Sequence, residues 1–336
     1  MTGSMGRWLE VACLAAGALV LAGTLWYVGL TTLVRDLRVI GWGLIPILLV
    51  ESLNVIFNTW GWALAFPTGE RPVSHGRLLA ARLAGDGINY LTPSATVGGE
   101  LLRIRLLGAH VPLGLRWASV SVAKIGQTVA QAVFILLGLA LVLPLFPHAT
   151  PWIGWLGSGG ALLVWVVFMW LIGRGLWRTL TGVARRLGLH GLLPAAWSAP
   201  GHELDAALRR LGGWRVAASL GCFVAGWAIG AAEIYLILAL AGGGVDWKTA
   251  LAVEAGSVLI DGILFFVPAK VGTQEGGKVA LFAALGLSPA RGLTVGVIRR
   301  IRELTYAGLG LAALGWLTAS PAYRTPPAGL AGGSES

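Results

Sequence analysis

Charge is what this chain has least of. Only 12% of its 336 residues are Asp, Glu, Lys or Arg, against a hydrophobic fraction of 56% and a mean hydropathy of +0.76. That balance excludes a soluble globular domain and belongs to chains that cross a membrane several times. Acids are the scarcer sign, with Asp+Glu 15 against Lys+Arg 25 and a net charge of +10. In a soluble protein such an excess would point to nucleic acid. Here the cations flank or interrupt apolar runs, as in positive-inside loops and segments lying on anionic lipid, so nucleic acid is not an expected partner. The two cysteines, Cys13 and Cys222, both fall in apolar runs and support neither a disulfide framework nor a Cys-based metal site. The histidines His75, His110, His148, His190 and His202 show no metal-ligand spacing, and there is no serine-nucleophile elbow. Neither a metal nor a cofactor is implied.

What the chain does have is a motif written twice. Asp86-Gly-Ile-Asn-Tyr-Leu-Thr-Pro93-Ser-Ala-Thr-Val-Gly-Gly-Glu100 returns 175 positions later as Asp261-Gly-Ile-Leu-Phe-Phe-Val-Pro268-Ala-Lys-Val-Gly-Thr-Gln-Glu275. The same offset pairs Arg103 with Lys278, Lys124 with Arg299, and Asn58 with Glu233. Where charge is so sparse, stacking acids, a proline and cations on one register marks an internal repeat.

Apolar runs near 8 to 30, 40 to 66, 117 to 143, 152 to 173, 214 to 242 and 291 to 318 are each long enough to cross the hydrocarbon core. The first is too long for a signal-peptide core and reads as a retained span. Tryptophans near their ends suit the headgroup level. Residues 77 to 108 and 249 to 286 each contain a helical run, a Pro and Gly break, and a shorter run. They are expected to be re-entrant hairpins broken at Pro93, Gly98 and Gly99 in the first, and at Pro268 and Gly272 in the second. Irregular backbone at membrane depth requires burial in protein or access to water.

Orientation follows from the segment 174 to 215, where Arg174, Arg178, Arg185, Arg186, Arg209, Arg210 and Arg215 make the strongest positive-inside signal. Apolar residues at helical spacing within it imply short helices on the inner leaflet, in contact with anionic lipid. Counting spans outward from this loop puts both termini in the cytoplasm and makes the two repeats opposite in sense. The expected fold class is an all-α polytopic membrane protein of two inverted repeats, each with a Pro/Gly-broken re-entrant hairpin, the architecture of many alternating-access transporters. Its parts are an N-terminal helix and loop (1–39), a first repeat (40–143), a connecting helix with the basic segment (144–214), a second repeat (215–318) and a disordered tail (319–336).

The residues expected to carry function are the charges at membrane depth, since each unpaired one there costs at least about 2.5 kcal/mol. Glu100 and Arg103, like Glu275 and Lys278, are three apart on a helix, so each acid is expected to meet a cation on its own face. Lys124, Arg299, Arg300, Arg302 and Glu303 complete the expected substrate-binding set. Counted locally, the cations exceed Glu303, so the expected head group is anionic or hydroxyl-rich. Asp86 and Asp261, each before a glycine ahead of its helix break, are the expected coupling residues. Glu51, Asn54, Asn58 and Glu233 also interrupt apolar runs and are expected either to line the same cavity or to bond helix to helix. Gly272-Thr-Gln-Glu-Gly-Gly-Lys278-Val279 nearly spells a phosphate-binding loop. Val279 stands where Ser or Thr must hold magnesium, so no nucleotide site is expected.

Three stretches, Val97-Gly-Gly-Glu100-Leu-Leu-Arg103-Ile-Arg105, Gly272-Thr-Gln-Glu275-Gly-Gly and Arg300-Ile-Arg302-Glu303-Leu, resemble the flippase-like family named for the transmembrane domain of lysylphosphatidylglycerol synthase. They are most similar to its hopanoid-biosynthesis-associated branch, and the likeness covers most of the chain. Lys270 departs from the family pattern, where glycine is more usual. The resemblance implies movement of a polar-headed lipid, such as a hopanoid or an aminoacylated phospholipid, between leaflets of a bacterial-type inner membrane, with lipid-synthesis enzymes as partners. Synthase members add a soluble aminoacyl-transferring domain that this sequence lacks, so synthesis is not expected. The readings set against translocation are an intramembrane lipid-modifying enzyme and a scaffold for lipid-synthesis enzymes.

Overall fold

Long apolar runs with helical periodicity become long helices, and a computed structural model of the chain places them. It describes residues 30–66, 73–91, 97–142, 209–263 and 272–319, with parts of 159–206. The expected first span at 8 to 30, the break prolines Pro93 and Pro268, and the tail after Ala319 lie outside the described residues. Every regular element among the described residues is helical.

A short amphipathic helix α1 (Leu30–Ile40) passes through a 3-10 turn (Gly41–Gly43) into α2 (Leu44–Leu64). There follow α3 (His75–Leu91), α4 (Val97–Leu106) and α5 (Leu113–Val142). The basic α6 (Leu176–Arg186) stands between these and the second set: α7 (Gly213–Leu240), α8 (Trp247–Ile263), α9 (Thr273–Ala284) and α10 (Pro289–Ala319).

Three segments, Arg38–Leu64, Leu113–Gly138 and Gly213–Leu240, are long and apolar enough to cross a membrane. Their exposed surface carries Leu49, Leu53, Trp60, Leu137 and Trp214, as expected of helices whose solvent is lipid. The chain is a membrane protein. The last expected span forms as a single 31-residue helix, α10, long enough to cross, but it carries Arg299, Arg300, Arg302 and Glu303 at mid-length and so is not among the three apolar spans.

α3 and α4 pack antiparallel, Arg77 meeting Leu106 and Asn89 meeting Gly99, and so do α8 and α9, Gly256 facing Leu281 and Gly277 facing Ile260. In the first pair the approach is so close that a Cβ on Gly99 would lie 2.2 Å from the Gly85 carbonyl oxygen. Gly272, at φ +72°, turns the chain into α9 in a region that side chains with a Cβ rarely occupy. At 1.5 Å per residue, the ten residues of α4 and twelve of α9 measure about 15 and 18 Å, roughly half the hydrocarbon thickness.

The 175-residue offset carries α2 onto α7, α3 onto α8, α4 onto α9 and α5 onto α10, to within a few residues at each end. Helix contacts follow the same exchange. α3 packs on α10 as α8 packs on α5, and α4 packs on α5 as α9 packs on α10. The seam between the halves is α2 against α7, which run antiparallel: Gly43 faces Leu240, Gly226 faces Asn54 and Asn58, and Ser219 Oγ donates to the Gly61 carbonyl across 2.7 Å. Apolar clusters close the seam at both ends. One is built on Trp62, Phe66 and Phe223, the other on Ile47, Ile234, Ile237 and Ile298. Between them, at mid-length, the side chains are polar.

Candidate functional site: a charged network at mid-helix

The polar layer is built on α10. Arg299, Arg302, Glu303 and Tyr306 follow a helical i, i+3, i+4, i+7 spacing and so share one side of the helix, with Arg300 turned to a neighbouring face. Arg299 is buried between α7 and α8. Its Nη2 lies 2.6 Å from Glu254 and 3.1 Å from Glu233, and donates to the Gly230 carbonyl across 3.0 Å. A Cβ on Gly230 would collide with Glu254 at 2.2 Å, so the missing side chain is what admits the acid to the α7–α8 contact. Arg302 donates to Glu51 of α2 across 2.8 Å and also to Glu233. Arg300 pairs with Glu275 of α9 and donates to the Tyr90 hydroxyl of α3 across 3.2 Å. Glu303 accepts from Gln274 of α9 across 2.9 Å.

From Glu51 the network continues along α2. Asn54 donates to Glu51, Asn58 to Asn54, and Gln127 of α5 to Asn58 across 3.0 Å. A second cluster ties the first hairpin to α5. Asp86 takes Arg82 from its own helix and Arg103 from α4, Glu100 takes Arg103 at 3.4 Å and Lys124 at 3.0 Å, and Asn89 bridges Glu100 to the Gly99 amide. Between the clusters lies a cavity of about 140 Å³. Glu51, Asp86, Tyr90, Arg302, Glu303 and Tyr306 supply its polar wall, and Val55, Leu83, Gly87 and Ala307 its apolar one. Tyr306 is fixed by donating to the Leu48 carbonyl across 2.8 Å, with Ser52 beside it. Oε2 of Glu303 and Oε1 of Glu233 are buried without a hydrogen-bond partner among the described residues.

The structure thus gathers Glu100, Arg103, Lys124 and Asp86 in one cluster, and Glu275, Arg299, Arg300, Arg302 and Glu303 in the other. Glu51, Asn54, Asn58 and Glu233 also join, and the two expected roles are divided among them: Glu51 lines the cavity, Asn58 and Glu233 bond helix to helix, and Asn54 links Glu51 to Asn58 along α2. Asp261 does not line the cavity, so the two equivalent aspartates have different surroundings. Lys278 is buried in α9 at 2% exposure, and Glu275 reaches Arg300 across the helix contact. The residues spelling the near phosphate-binding loop are wound into α9 from Thr273 onward.

The local charge count is corrected. Arg299, Arg300 and Arg302 meet five carboxylates, Glu51, Glu233, Glu254, Glu275 and Glu303, four of them from other helices. No surplus of cation remains there to select an anion. Around the cavity Glu51, Asp86 and Glu303 face one guanidinium, Arg302, and the wall is acceptor-rich. Sequence reasoning passed over Arg82, Tyr90, Gln127, Glu254, Gln274 and Tyr306. The lone charges Arg82 and Glu254 inside apolar helices were the available signal, whereas the tyrosines and amides gave none.

The network lies within a stretch of the chain that one family model matches. The lysylphosphatidylglycerol synthase transmembrane-region model matches residues 12–311. The chain belongs to that family. No curated protein matches it. Membership in the lysylphosphatidylglycerol synthase transmembrane-region family gives the chain a membrane-lipid-related function, and it places the α3–α4 and α8–α9 pairs, the mid-helix network and the cavity all inside the matched region.

Proposed function

We propose that the protein is a lipid translocator that moves a polar-headed lipid between the leaflets of a bacterial-type inner membrane without altering it covalently. The observation that carries this reading is the cavity at mid-length of α2 and α10, walled by four charged side chains and two tyrosines. A polar head passing the membrane midplane needs such a wall, because hydrocarbon offers it no hydrogen bonds.

The acceptor-rich lining favours a head that donates: an ammonium or a cluster of hydroxyls. An aminoacylated phospholipid and an amine- or polyol-bearing hopanoid both meet that requirement. An anionic head does not, because it would face Glu51, Asp86 and Glu303.

Alternating access by inverted repeats is part of the proposal. Support comes from α2 and α7, which are equivalent under the repeat, are both apolar enough to span, and run antiparallel. Two equivalent spans crossing in opposite senses put their repeats in opposite senses. α4 and α9, each about half a membrane thick, then serve as the inner arms of re-entrant hairpins, and both termini face the cytoplasm.

The test is reconstitution in liposomes with tail-labelled lysyl-phosphatidylglycerol and, separately, tail-labelled phosphatidylglycerol, reading access of the label to an impermeant quencher. Faster loss of protection for the amine-bearing lipid, slowed by Glu51→Gln, is expected. Protein that moves neither lipid, or that changes the mass of either, overturns the reading. The second outcome would favour a lipid-modifying enzyme.

A further inference from the structure

Arg299, Arg300 and Arg302 of α10 all meet acids, whereas three arginines around α6 have no carboxylate paired with them among the described residues. Arg174, Arg178 and Arg186 line a groove of about 620 Å³ together with Trp170, Thr179, Gly182 and Val183, and no carboxylate among the described residues pairs with their guanidinium groups.

Their arrangement is held in place. Positions 178, 182 and 186, with 179 and 183 beside them, fall on one side of α6. Arg174 sits just before Gly175, whose φ of +92° turns the chain into the helix, and its guanidinium lies 4.5 Å over the Trp170 ring. Asp205, 2% exposed, accepts from the amides of Trp177 at 2.8 Å and Arg178 at 2.9 Å. The amides at the start of the helix are therefore occupied, and the free donors of the groove are side chains. Beside the cations, Trp170, Leu180 and Val183 expose about half of their surface.

We propose that this shelf binds the phosphate of an anionic phospholipid at the membrane surface, at a site separate from the mid-helix cavity. Guanidinium forks match phosphate oxygens in pairs, and the exposed apolar residues beside them match the acyl boundary below a head group. A soluble anion would use the cations and leave the tryptophan, leucine and valine in water. The groove volume, in the range of small-molecule sites, fits a phosphodiester head rather than a bare ion. The inference holds whether or not the cavity translocates lipid, because none of its residues belongs to the cavity.

The test is native mass spectrometry of the purified full chain in detergent, titrated with phosphatidylglycerol, with phosphatidylcholine, and with phosphatidylglycerol in the presence of excess inorganic phosphate. Phosphatidylglycerol is expected to bind in preference to phosphatidylcholine. Arg178→Gln is expected to weaken it roughly fivefold, as for loss of one cation at an anionic lipid surface. Val183→Glu, an exposed position within the groove where a folding defect is not expected, is expected to weaken it at least as much. Arg105→Gln, which removes an exposed arginine from α4, is expected to leave it unchanged. Equal weakening by Arg105→Gln, or none by Arg178→Gln and Val183→Glu, overturns the site. Displacement of the lipid by inorganic phosphate alone overturns the lipid as its occupant.

Discussion

Gln127 of α5 donates to Asn58 of α2 across 3.0 Å. Moved by 175 residues, the same two positions are Arg302 of α10 and Glu233 of α7, which also pair. One contact has been kept twice, as an amide pair in the first half and as an ion pair in the second. The two should fail differently. Gln127→Ala is expected to cost about 1 kcal/mol, the usual worth of one hydrogen bond. Arg302→Gln leaves Glu51 and Glu233 buried beside each other and is expected to cost about 3–5 kcal/mol. Thermal unfolding in detergent reads both, and equal shifts in Tm would count against the ion cluster as the more tightly constrained half.

Gly308 and Gly310 lie two residues apart on α10 and should respond in opposite directions. Nothing lies within 4 Å of a Cβ built on Gly308, whereas one on Gly310 would meet the Leu83 carbonyl at 2.3 Å. Gly308→Ala is expected to stabilise the helix by about 0.5–1 kcal/mol. Gly310→Ala must push α3 from α10 and is expected to lower Tm and slow lipid movement, because α3 and α10 supply most of the cavity wall. A Gly310→Ala protein with unchanged Tm would contradict the close approach.

Inversion is open to chemical labelling. With Cys13 and Cys222 replaced, single cysteines at Ser94 to Thr96 are expected to react with an impermeant thiol reagent from the cytoplasmic side, and those at Ala269 to Thr273 from the opposite side. Labelling of both from one side would remove the inverted topology.

Asp246 begins α8 outside the spans, and its Oδ1 accepts from the Thr249 amide across 2.8 Å. Hydrogen bonds from Thr249 hold its carboxyl below the usual value of 3.8. A depressed carboxylate contributes stability above its unfolded pKa and loses it as pH falls through the folded one. The start of α8 is therefore expected to gain amide hydrogen exchange in acid below about pH 3.8, after correction for intrinsic rates, with no change between pH 6 and 8. Asp246→Asn should make that region's protection independent of pH.

Much of the architecture was legible because it is written in local patterns. Apolar length gave the spans near 40, 117 and 214, and proline with glycine gave the separation of α3 from α4 and of α8 from α9. The common register also identified most of the charged network. What the sequence hid was compensation. Arg299 reads as an unpaired cation beside Glu303, yet its partners Glu233 and Glu254 arrive from two helices that bend back on it from far along the chain. Charge balance is a property of the packed state, so a local count assigned the anion preference to α10, where folding cancels it. The arginines around α6 show the converse. They looked like an ordinary positive-inside loop, and only the packing shows that Arg174, Arg178 and Arg186 share one groove with no carboxylate paired to them among the described residues.

The position of the neutralising acids has a consequence for how the chain is made. Glu51, Glu233, Glu254 and Glu275 all precede α10 in the sequence, and α10 is the helix that carries three arginines at mid-length. Presented alone to a translocon, such a helix would meet a barrier of about 2.5–3.5 kcal/mol for each central charge. During synthesis it emerges last, when every acid from other helices that it needs is already in the bilayer. Partitioning of α10 should accordingly depend on its predecessors, so a ribosome-bound chain lacking α7 to α9 would leave α10 outside the membrane, while the complete order of synthesis draws it in.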